Sequence, residues 1–138
     1  MKKLFISLFF CLFSFCSVAQ TELIVLKDVV DGDTIRAEII GFPEPLNRVS
    51  IRILGIDTPE MKGKCEKEKK NARLAKKFIE DQLKITHVVS FDGLKWDKYG
   101  GRILANVFFD GYNLSELLIQ NGYAIPYHGE KKTHDWCL

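Results

Sequence analysis

Carboxylates and arginines gather in three short stretches of this chain. They are Asp31-Gly32-Asp33-Thr34, Arg52-Ile53-Leu54-Gly55-Ile56-Asp57-Thr58-Pro59-Glu60 and Asp97-Lys98-Tyr99-Gly100-Gly101-Arg102. Aspartate oxygens are hard donors suited to a divalent cation of the calcium type, and guanidinium forks match the non-bridging oxygens of a phosphate. Crowding such charges into one pocket is costly unless a ligand neutralises them, so the pattern predicts a site where a hard cation and a phosphodiester meet. Taken singly the pieces are weak, because an Asp-Gly-Asp can be only a turn and an arginine in a strand can be structural.

The surrounding pattern must bring these distant stretches together. Leu23 to Val30 reads as a short apolar strand, and Asp31-Gly32 as the turn or bulge before a second strand from Thr34 to Ile40. Gly41-Phe42-Pro43-Glu44-Pro45 breaks it. Val49, Ile51 and Ile53 then alternate with Ser50 and Arg52, so a third strand buries its odd positions and turns Arg52 to the other face, until Pro59 ends it. From Glu66 to Leu83 the period becomes helical, with Ala72, Ala75, Ile79 and Leu83 on one side and lysines elsewhere. Two more strands are expected, Thr86 to Phe91 and Arg102 to Phe109, followed by a helix capped by Asn113 and running to Gln120. Gly122 stands where a left-handed residue closes such a helix. Three strands, a helix, two strands and a closing helix predict an α+β protein, a five-stranded β-barrel of the oligonucleotide-binding (OB) type with helices.

With 138 residues, 46% of them hydrophobic, the chain can close one core and no more. Residues 1–19 have their own character: Lys2 and Lys3, an apolar run, then Ser17-Val18-Ala19 with small residues before the cut. This predicts a secretory signal peptide cleaved after Ala19, leaving one domain over 20–138. The run falls short of the roughly 20 residues that span a bilayer, so no stable membrane association is expected after cleavage. A secreted or periplasmic protein follows. Without Lys2 and Lys3 the 20 basic residues fall level with the 18 acidic ones, so global charge predicts no polyanion. Local charge does: eight lysines and arginines lie between Lys62 and Lys77 against Glu66 and Glu68, a solvated helix face that could also steer a polyanion. Cys11 and Cys16 leave with the leader. Cys65 and Cys137 remain in an oxidising setting, as a disulfide or as two free thiols. Nothing demands more than a monomer.

Together and in this order, the three motifs resemble those of the staphylococcal nuclease (thermonuclease) family, over essentially the whole chain from Leu23 to Tyr127. The resemblance implies a Ca²⁺ site made by Asp33, Asp57 and the Thr58 backbone carbonyl, with Asp31 behind it. It implies Glu60 as the base that orients or deprotonates water, Arg52 and Arg102 as catalytic phosphate donors, and Tyr99 and Tyr127 beside the substrate. The activity implied is calcium-dependent hydrolysis of DNA and RNA at the 5′ P–O bond, with little sequence preference and 3′-phosphate products. The alternative is an OB-fold nucleic-acid-binding module without catalysis, which would be expected to have lost some of these residues. Two departures stand out: Gly100-Gly101 replaces the single glycine of the best-known member, and a short closing segment leaves little room for its final helix. A bulge could absorb the extra glycine, and Trp136, Tyr123 or a Cys65–Cys137 bridge could complete the core.

Overall fold

The structure is a computed structural model that describes residues 24–98 and 100–138. The leader 1–19 and Tyr99 lie outside the described residues. Strands β1 (Ile24–Val29), β2 (Thr34–Ile39) and β3 (Arg48–Ile53) form an antiparallel meander. Strand β4 (Ile56–Asp57) follows, then helix α1 (Glu66–Ile85), β5 (Val89–Trp96) and β6 (Arg102–Phe109). The chain closes with β7 (Tyr112–Asn113), α2 (Leu114–Gln120) and β8 (Ile125–Pro126).

The main sheet runs β1-β2-β3-β6-β5, with β3 and β6 parallel and β7 paired to β6. This is the mixed sheet with helices that the sequence predicts. The expected barrel stays unsealed, because among the described residues no ladder joins β1 to β5. Alternation does what periodicity demands. Ile35, Ala37 and Ile39 of β2, Val49, Ile51 and Ile53 of β3, and Ile103, Ala105, Val107 and Phe109 of β6 are buried in one core. Helix α1 lays Ala72, Ala75 and Ile79 on that core, and α2 adds Leu114 and Leu118. Tyr123 packs its ring 5.0 Å from that of Phe78.

One strand differs from its expected bounds. The segment predicted as Thr86 to Phe91 forms as Val89–Trp96. Thr86 caps α1, its N–H donating to the Gln82 carbonyl at 3.0 Å, and the Asp110 carboxylate takes the His87 and Val88 N–H groups at 3.0 and 2.8 Å. Those residues are thus bonded before the ladder begins. The strand then passes an irregularity between Asp92 and Lys95 and reaches Trp96, whose long exposed run carries no alternation to announce it.

Candidate active site

Asp33 begins as a turn residue and ends as a buried charge. The Asp31-Gly32 turn packs so closely that a Cβ on Gly32 would lie 2.9 Å from the Ala75 Cβ and 3.0 Å from the Thr58 Cβ. Asp31 braces the turn by accepting the Asp33 N–H at 3.1 Å. The Asp33 carboxylate accepts from the Thr34 and Thr58 hydroxyls at 2.9 and 3.0 Å and forms a short ion pair with Arg52 Nη1. Its backbone carbonyl takes the Ile53 N–H at 2.8 Å, which fixes the end of β3 beside it. Burial pushes the Asp33 carboxyl up to about 6, and the Asp31 charge adds to this, against the lowering effect of Arg52 and both threonine hydroxyls.

Arg52 leaves β3 on the face opposite Ile51 and Ile53, as alternation requires, and its Nη2 donates to the Ile56 carbonyl at 3.2 Å. Its other boundary is an open cleft of about 660 Å³ lined also by Arg102, Asp97, Tyr127 and His128. Arg102 sits opposite Ser50 in the parallel β3–β6 ladder, two positions from Arg52 on the same face. The extra glycine is absorbed in the β5–β6 turn, where Gly100 and Gly101 both take positive φ (72° and 63°) and Gly101 offers its carbonyl to Ser50 N–H at 3.3 Å. Arg102 is returned to the cleft and held by Asp97, with Nε at 2.6 Å from Oδ2 and Nη2 closer still.

Asp57 and Thr58 are also buried, on β4 and just after it. Pairing of β4 with β8 sets Asp57 opposite Ile125, and the Tyr127 N–H reaches the Gly55 carbonyl at 2.9 Å, so the chain after β8 comes back over the site. There Lys132 places Nζ 2.5 Å from Asp57 Oδ1 and 3.4 Å from Glu60 Oε1, while Trp136 Nε1–H donates to Asp57 Oδ2 at 3.4 Å. Burial alone lowers the Lys132 ammonium, but the hydrogen bond and charge of Asp57, with those of Glu60, outweigh it and raise it above the usual lysine range. Glu60 itself is exposed, and its backbone N–H donates to the buried Glu68 at 3.3 Å. Cys65 and Cys137 are joined in a disulfide.

The sequence analysis missed Lys132, and it named Trp136 only as a candidate to complete the core, whereas its indole N–H lies on Asp57. It also left Glu68 among the solvated charges of α1. That residue is buried and takes the Lys64 N–H at 2.7 Å, so it shapes the loop that carries Glu60. A buried acid inside a basic run was its one signal.

A calcium ion suits these residues. Asp57 Oδ1 is buried with no well-directed hydrogen bond and already holds a positive charge, and Asp33 is a carboxylate that burial leaves short of solvation. Among the described residues the carboxylates of Asp33, Asp57 and Glu60 do not all lie within 4.8 Å of one another. Cys65, Glu68 and Cys137 do converge, but the two sulfurs are spent on each other.

The chain matches the family model for the staphylococcal nuclease homologue over residues 50–137. An uncharacterised protein of Bacillus anthracis is 36% identical over 99 residues, 70% of this chain and 44% of that one. From Bacillus subtilis strain 168, the SPbeta prophage-derived endonuclease YokF is 36% identical over 105 residues, covering 73% of this chain and 33% of its own length. Endonuclease YncB of the same strain is 33% identical over 105 residues, 73% of this chain and 46% of its own. The chain thus spans less than half the length of these relatives.

Proposed function

The chain belongs to the staphylococcal nuclease family, and from that premise we propose that it is a calcium-dependent nuclease cutting DNA and RNA with little sequence preference, leaving 3′-phosphates. The observation that carries this reading is Arg52, which pairs with Asp33 on one side and lines a cleft with Arg102 and Tyr127 on the other. Cation-holding carboxylate and phosphate-gripping donors therefore adjoin.

Arg52 and Arg102 present N–H donors to the non-bridging oxygens, where charge grows as water attacks phosphorus in line, so they favour the transition state over the bound substrate. Glu60 is exposed beside Asp57 and serves as the acceptor for a proton from the attacking water. Tyr127 offers a ring face or hydroxyl at the cleft wall. Asp33 and Asp57, with the Thr58 carbonyl, would hold the calcium ion, which would supply positive charge to offset that of the phosphate. Contacts to phosphate carry no base information, hence the tolerance for sequence. The same reading has the leader 1–19 removed on export to the periplasm or medium, supported by a Cys65–Cys137 disulfide of the kind oxidising compartments maintain.

Single-stranded DNA incubated with the purified protein and calcium is expected to be cut, with ends that block polymerase extension until a phosphatase acts. A calcium chelator is expected to stop cutting. Arg52→Ala, Arg102→Ala and Glu60→Gln should each lower the rate about 10²- to 10³-fold. Tight binding with no calcium-dependent cutting would select the non-catalytic OB module instead.

A further inference from the structure

Asp33, Arg52, Asp57, Glu60 and Arg102 each face an opposite charge. Arg52 holds Asp33, Asp97 holds Arg102, and Lys132 lies on both Asp57 and Glu60. The first two pairs are built from the strands and turns of the motifs. Lys132 comes from the closing segment after β8, and with Trp136 it covers both oxygens of Asp57. That segment is tied to α1 by the Cys65–Cys137 bond and by the Lys67 ammonium on the Leu138 carbonyl, and it turns on the Asp135 carboxylate, which accepts the Cys137 N–H at 2.9 Å.

We propose that residues 128–138 form a latch in which Lys132 is a tethered cation seated on Asp57 and Glu60, so that calcium binds only by displacing it, with the Cys65–Cys137 bond holding the latch in place. The inference rests on the calcium reading above. Calcium needs its carboxylate oxygens at about 2.3–2.6 Å, and an ammonium seated on Asp57 Oδ1 takes that position. A tethered competitor acts at high effective concentration, so the apparent calcium affinity falls by the fraction of time the latch is open. Release is easy, because the Lys132 side chain is already 47% exposed. The Tyr127 ring, 5.8 Å from Nζ at the edge of the cleft, lies beside the seated ammonium and helps to hold the latch closed.

The test is calcium titration by calorimetry, without nucleic acid, on the wild type, Lys132→Met, the Cys65→Ser/Cys137→Ser pair and the triple variant. A latch closed nine-tenths of the time predicts that Lys132→Met tightens calcium about tenfold. The cysteine pair should also tighten it, and the triple variant should bind no tighter than Lys132→Met, because both changes remove one device. In a Trp96→Phe background, Trp136 emission should shift on saturation with calcium. Equal affinity in wild type and Lys132→Met overturns the latch while leaving the calcium site intact. Tightening in Lys132→Met with a folded cysteine pair unchanged also overturns it, since a nearby charge then explains the effect. Should the cysteine pair unfold, an unaltered Trp136 emission decides against the latch. Absence of calcium binding in all the variants removes the calcium reading and the latch together.

Discussion

Burial lifts the Asp33 carboxyl from 3.8 to about 6 despite the lowering effect of Arg52, Thr34 and Thr58, and the sign of the consequence is unusual for an aspartate. Folding raises this proton affinity, so between about pH 4 and pH 6 the native state holds a proton that the unfolded chain has released, and stability is lost as pH rises through that window. The full shift corresponds to about 3 kcal/mol. Exposed acids such as Asp110 and Asp81 are shifted down and act in the opposite sense, so the effect must be isolated. In chelator, the unfolding free energy of the wild type relative to Asp33→Asn is expected to fall by about that amount from pH 4 to pH 7. A flat difference in urea titrations would mean that Arg52 cancels the burial. Asp33 thus stays charged at neutral pH at the expense of the fold, with Arg52 as its counter-charge.

At the scale of elements, the site depends on two close approaches and one turn. Gly32 lets α1 settle against the Asp31–Asp33 turn, and Gly32→Ala should cost about 1–3 kcal/mol as α1 and Thr58 are pushed back, read as a lowered thermal midpoint with weaker calcium binding. Gly101 sits at φ 63°, so Gly101→Ala should cost about 1–2 kcal/mol and displace Arg102, lowering cutting more than calcium binding. Ser115, at the start of α2, donates to the Leu54 carbonyl at 2.6 Å and so anchors the turn between Arg52 and Asp57. Ser115→Ala leaves that carbonyl short of a partner, at about 1–3 kcal/mol in chemical denaturation. The strands β2, β3 and β6 were legible as alternation, and α1 and α2 as period and cap. Strand β5 was legible in existence but not in bounds, because after Val89 and Phe91 alternate with Ser90 and Asp92 the run from Gly93 to Trp96 is exposed throughout, and its start is set by where Asp110 and Gln82 satisfy backbone groups.

Across the whole molecule, the closing segment is tied back toward the site by a covalent bond as well as by the contacts of Lys67, Lys132 and Trp136. Cys65 and Cys137 stand 72 residues apart, and constraining the unfolded chain over that span is worth about 4 kcal/mol in the loop-entropy model. Cys65→Ser/Cys137→Ser is expected to lose about that much in guanidinium unfolding, with α1 retained because serine caps a helix as well as the Cys65 sulfur, which accepts the Glu68 N–H at 3.4 Å. A loss near zero would mean that the closing segment is held by Lys67, Trp136 and Lys132 without the bond.

From sequence alone came the candidate cation- and phosphate-binding residues, the faces they leave and the family they resemble, because strand alternation, helix period and caps are set by neighbours in the chain. The tertiary structure decided which of those charges meet, and that Lys132 and Trp136, 72 and 79 positions from their partners Glu60 and Asp57, cover the site. No local rule encodes that contact. It arises from the β4–β8 pairing and the disulfide, which fold the closing segment back onto the buried Asp57 and the exposed Glu60.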